Sequence, residues 1–178
     1  MKHKVLLAVL VFCTAAAVTA TAASTERANG FWVGPTALYS TPLSPDELSE
    51  HDFDSENFAF GLDARLRMNL LEGSLLAIYD PYKDGEETKF GMIVFPNIGV
   101  NLNLAALNLG LSGGPNLWVT EDEEDATKFG VNLKVSADVM IGNIAVGAYY
   151  VAVAPDFDSF ESEELMGFAG LSVLFKPF

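Results

Sequence analysis

The sequence predicts an all-β chain, an eight-stranded antiparallel up-and-down transmembrane β-barrel. Three observations predict it. Apolar and polar residues alternate along segments long enough to cross a bilayer, the connections between them alternate short and long, and the acidic residues collect in the long ones. Strict alternation is the period of a strand, whose successive side chains point to opposite faces.

The first 22 residues read differently. Lys2, His3 and Lys4 are a short basic segment, Val5 to Phe12 is an unbroken apolar run, and Ala20-Thr21-Ala22 has the form of a cleavage site. This is the layout of a secretory signal peptide over 1–22. A membrane anchor fits less well, because the apolar run is short and no stop-transfer charges follow it. The only cysteine, Cys13, belongs to this segment. The exported chain would therefore have neither disulfide nor thiolate metal site. Residues 23–30 form a short N-terminal segment, and 31–178 the barrel.

Phe58 to Asn69 carries the clearest alternation. Phe58, Phe60, Leu62, Ala64, Leu66 and Met68 fall on one face, while Asp63, Arg65, Arg67 and Asn69 fall on the other. Lys128 to Ile141 repeats it, with Phe129, Val131, Leu133 and Val135 opposing Lys128, Asn132, Lys134 and Asp138. The uncharged run Phe90 to Thr120 has polar residues at every second position and holds Pro96 and Pro115, so it reads as two strands rather than a membrane helix. The predicted strands are Phe31–Ser40, Phe58–Asn69, Leu71–Tyr79, Lys89–Asn103, Leu107–Val119, Lys128–Ile141, Asn143–Ala154 and Leu165–Phe178.

Three connections are short: around Asn69 to Leu71, Asn103 to Leu107, and Gly142-Asn143. Four are long: Thr41–Asn57, Asp80–Thr88, Thr120–Thr127 and Pro155–Glu164. The long ones hold 20 of the 24 acidic residues. Of the other four, Asp63, Glu72 and Asp138 take inward parity, and Glu26 precedes the first strand. No lipid-facing position carries a charge, as hydrocarbon demands. Without Lys2 and Lys4, eight basic side chains stand against 24 acidic ones, which argues against nucleic acid as a partner.

Tyr39, Phe58, Phe60, Tyr79, Phe90, Trp118, Phe129 and Tyr150 lie toward the long-loop ends of their strands, as an aromatic girdle at a membrane border would. Aromatic residues favour strands in any case, but their restriction mostly to one end favours the girdle.

These features together resemble the small eight-stranded outer-membrane barrels of the OmpA and OmpX type, over Phe31 to Phe178. The terminal Phe178 is similar to the aromatic that the barrel-assembly machinery reads in this class. The apolar set Ala169, Leu171, Val173 and Phe175 is one position out of step with Phe178, and a bulge would be needed to restore the phase. The resemblance implies residence in the bacterial outer membrane, with lipid and lipopolysaccharide around the wall and an extracellular partner at the loops.

Three sets of residues are candidates for chemistry. Asp63, Arg65, Arg67, Glu72, Lys134, Asp138 and Lys176 share inward parity, and buried charges need partners. An eight-stranded barrel has room for little beyond its own side chains, so an internal ion-pair network is expected rather than a pore. His51, with Ser49, Asp52, Asp54 and Ser55 nearby, offers the residue types of a lipid A acyl hydrolase or transferase, but no spacing defines a site. The acidic runs Glu121 to Asp125 and Asp156 to Glu164 lack a calcium-loop pattern and read as solvated faces. No cofactor or metal is predicted. The expected function is a non-enzymatic structural or surface-interaction barrel. The alternatives are the lipid A enzyme and a soluble lipocalin-like barrel with its apolar face turned inward.

Overall fold

In a computed structural model, residues 28–43, 54–84, 87–104, 106–120, 127–154 and 165–177 are described. Ten strands occur among them: β1 Gly30–Pro42, β2 Phe58–Met68, β3 Leu71–Tyr79, β4 Tyr82–Asp84, β5 Glu87–Lys89, β6 Gly91–Leu104, β7 Leu107–Thr120, β8 Thr127–Ile141, β9 Ile144–Ala154 and β10 Met166–Phe175. Eight close into one antiparallel barrel in the order β1-β10-β9-β8-β7-β6-β3-β2, with β1 also paired to β2. Closure leaves no sheet edge, so the wall satisfies its backbone groups internally.

Each short turn has a local cause. Gly142, at φ 62°, takes the first central position of the two-residue β8–β9 turn, where a left-handed residue matches the strand twist. Asn69 adopts φ 56° in the β2–β3 turn. Its N–H donates to Asn29 Oδ1 at 2.7 Å, and Asn29 Nδ2 donates back to Asn69 Oδ1 at 3.0 Å. This exchange pins the turn to the segment preceding β1.

Several predicted boundaries move. The connection Asp80–Thr88 contains the separate hairpin β4–β5, so Lys89 belongs to β5 and the fourth barrel strand begins at Gly91. The last strand ends at Phe175, not at Phe178, and its register against β9 is unbroken to that point, without a bulge. Phe178 lies outside the described residues, as do 1–27, which include the expected signal peptide. His51 with Ser49 and Asp52, and the runs Glu121 to Asp125 and Asp156 to Glu164, lie outside them too.

Prolines interrupt the ladder without shifting it. Val94 pairs with Leu117 and Ile98 with Gly113, in one register, so Pro96 and Pro115 stand opposite each other between β6 and β7. Neither has an N–H to donate. Pro115 also pairs with Val131 of β8, whose carbonyl accepts instead from Asn116 Nδ2 at 3.0 Å. From β8, Asn132 Nδ2 donates to the carbonyls of Gly114 and Pro115 at 3.0 and 2.9 Å. Lumen asparagines thus stitch the wall where prolines break it.

Candidate functional site: the charged lumen

Alternation along β2, β3 and β8 sends Asp63, Arg65, Arg67, Glu72, Lys134 and Asp138 into the barrel, where each is almost completely buried. The network is built around two guanidinium groups. Arg65 donates to Asp63 Oδ2 through Nη2 at 2.6 Å and Nε at 3.0 Å. Its Nη1 reaches Asp138 Oδ2 at 2.7 Å. Arg67 meets the same Asp138 oxygen at 2.6 Å and Glu72 Oε2 at 2.8 Å. Arg67 and Glu72 are paired across β2 and β3, two residues before and after the short turn's ends. Lys134 Nζ lies 3.3 Å from Asp63 Oδ2 and 5.0 Å from the Tyr149 ring centroid.

The result is three cations against three carboxylates, with each charge answered inside the wall. A delocalised guanidinium suits this place, since its fixed fork of donors spans two carboxylates at once. Backbone without side chains makes the room. Gly147 pairs with Asp138, and a Cβ there would collide with the Asp138 carboxylate. Gly170 is covered by the Tyr149 ring, whose hydroxyl lies 2.6 Å from Thr36 Oγ1.

Lys176 is not part of this cluster. It follows the end of β10, and its Nζ lies 5.9 Å from the Trp32 ring centroid. Arg67 Cζ approaches that ring at 5.8 Å. Trp32 is fully buried, donates from Nε1 to the Ala28 carbonyl at 2.9 Å, and packs with Ala145, Leu174 and Met140. An apolar layer therefore caps the short-turn end of the lumen.

A second apolar layer lies beyond the ion pairs. Leu38, Leu76, Ile78, Ile93, Phe95, Val151, Val153 and Phe168 form a cluster toward the long loops. Strict inward polarity, expected from the sequence, holds only over the central part of the wall. Trp118 is a further correction. It faces inward and packs against this cluster instead of joining the girdle. It shares parity with the inward Ser112 and Asn116, and that parity decides its side.

The other aromatics expected in the girdle face outward near the long-loop ends. Phe58, Phe60, Tyr79, Phe90 and Phe129 are exposed. Tyr39 packs edge-on against Phe58 at 5.0 Å, and Tyr79 lies 5.8 Å from Phe90. Tyr150 is half-buried over Gly167, with its hydroxyl 3.3 Å from Thr41 Oγ1.

Several solved structures resemble this one, three of them as follows. Neisserial surface protein A matches with a TM-score of 0.51 and 15% identity, over 83% of this chain and 97% of that one. The N-terminal β-barrel domain of Pseudomonas aeruginosa OprF matches at 0.50 and 13%, over 81% and 97%. Ail, the attachment invasion locus protein of Yersinia pestis, matches at 0.50 and 12%, over 83% and 98%. All three are eight-stranded outer-membrane barrels. This chain shares their fold. No protein-family model matches it, and no curated protein does at the level of sequence. A soluble ligand-binding barrel would turn its apolar side chains inward and its charges outward. Here large apolar side chains such as Leu62 and Ile98 face outward, and the six strand charges lie inside between two apolar layers.

Proposed function

We propose that this protein is a bacterial outer-membrane barrel with a structural or surface-interaction role and no catalysis. One observation carries the reading. Large apolar side chains such as Leu62, Ile98, Leu111, Leu133, Val146 and Leu171 are exposed around the wall, while the strand charges Asp63, Arg65, Arg67, Glu72, Lys134 and Asp138 are enclosed. Such a surface is stable in hydrocarbon and not in water.

The partners follow from the surface chemistry. Membrane lipid and lipopolysaccharide cover the apolar band, and the barrel-assembly machinery inserts it. The four acidic connections meet the outside, where binding usually resides on a rigid scaffold. The lumen charges are spent on one another, which supports a filled interior over a pore or a catalytic pocket.

Fractionation with surface labelling tests this. The protein is expected in the outer membrane, with an epitope inserted at Glu123 accessible on intact cells and negligible conductance in planar bilayers. Recovery as a soluble periplasmic protein would overturn the membrane reading. Large, stable single-channel currents would overturn the filled lumen.

A further inference from the structure

The outer wall is not evenly convex. A groove of about 680 Å³ runs across β2, β3, β6 and β7. Its floor is low because the outward positions there carry little. Gly73 and Gly113 have no side chain, and Pro96 and Pro115 present compact rings. A Cβ built on Gly73 would meet nothing within 4 Å. Phe31, Leu66 and Ile98 stand up around this floor, with Ile98 80% exposed. No ionised side chain lines the groove.

Resting on the membrane reading above, we propose that this groove binds one acyl chain of a phospholipid. The groove is continuous with the apolar band, so what reaches it in a bilayer is hydrocarbon. An apolar concavity of this kind stays dry, and its lining lacks contact atoms until a chain supplies them. The volume lies within the range of small-molecule sites. The floor is pre-formed, because glycine and proline have no rotamers to order when a ligand arrives. Position selects the lipid. Phe31, Leu66 and Gly73 form one cross-strand row close to the short turns. The groove therefore opens on the leaflet at that end, opposite the long acidic loops, and its occupant is a phospholipid rather than lipopolysaccharide.

The test uses the protein inserted in vesicles of phosphatidylethanolamine and phosphatidylglycerol. It is released in mild detergent, and retained phospholipid is counted by native mass spectrometry. Gly73→Leu places an isobutyl group in the groove from a position whose Cβ meets nothing within 4 Å. Ala77→Leu, outward on the same strand but outside the groove, adds the same side chain elsewhere. Wild type and Ala77→Leu are expected to retain one phospholipid, with about a tenfold loss in Gly73→Leu. Equal retention in Gly73→Leu would overturn the proposal. So would a wild-type homodimer that Gly73→Leu dissolves, which would make a second copy the occupant. Insertion with no retained lipid removes the groove site alone. Failure to insert at all removes the membrane reading and the site together.

Discussion

Arg65 holds the centre of the lumen, touching Asp63, Asp138 and, at 3.3 Å, the Ser172 hydroxyl. Removing its charge leaves three buried carboxylates against two cations, with Lys134 beside Asp63 and Arg67 beside Asp138. Breaking a buried pair by deleting one partner typically costs about 3–5 kcal/mol, because the surviving charge is uncompensated. Arg65→Met should therefore lower the denaturant midpoint of the vesicle-inserted barrel by that order. A double variant, Arg65→Met with Asp63→Asn, should cost less than the sum of its parts, since the two act as one unit. Additive losses would show that the pair is not coupled. Outside the wall, Asp80 follows the end of β3, where burial pushes its carboxyl above the ordinary carboxylate range. The folded state then holds this proton more tightly than the unfolded chain does. Stability from the group is present in acid and is lost as pH rises through the folded value. Asp80→Asn should raise the midpoint at neutral pH and leave it unchanged in acid; the same gain at both would contradict the burial argument.

At the scale of the element, the prolines and asparagines of β6, β7 and β8 form one device. Asn132→Ala would strip the carbonyls of Gly114 and Pro115 of their side-chain donor, at about 1 kcal/mol for each half-buried hydrogen bond lost. Two glycines near the same seam should behave oppositely. Gly114→Ala would drive a Cβ into the Pro96 carbonyl, and overpacking of this sort costs about 1–3 kcal/mol or more. Gly73→Ala meets open space and should be close to neutral. Equal effects of the two in a denaturant titration would show that the seam is loosely packed. The sequence revealed the strands here by their alternating polar residues, yet not this repair. That Pro96 faces Pro115 depends on the register between β6 and β7, and alternation within one strand does not contain it. Trp118 shows the opposite failure. Its parity with Asn116 was available from the sequence, but its size and nearness to a long loop suggested a membrane border.

On the scale of the whole molecule, period-two patterning was enough to infer eight antiparallel strands, because the two environments of a barrel wall are so different. It also singled out the six lumen charges that the structure brings together, while Lys176 shared their parity and lies beyond the strand end against Trp32. The apolar layers above and below the ion pairs were not legible. Leu76, Ile78, Phe95 and Val151 fill the lumen with the same chemistry that other residues show on the outer face, so hydrophobicity alone cannot tell the faces apart. The outer band makes its own prediction. Ile98 is 80% exposed near the middle of β6, and Ile98→Arg should cost about 2–4 kcal/mol in a bilayer, as charge does at the midplane of such barrels. A cost near zero in vesicles would place Ile98 in water.

The central claim is a closed barrel whose apolar face meets lipid. Electrophoretic mobility of the vesicle-inserted protein, unboiled against boiled in denaturing detergent, tests it most directly. A closed wall with its backbone fully paired should resist the detergent until heated, so the unboiled band should migrate apart from the boiled one. Identical mobility, together with release of the protein into the aqueous phase, would contradict the account.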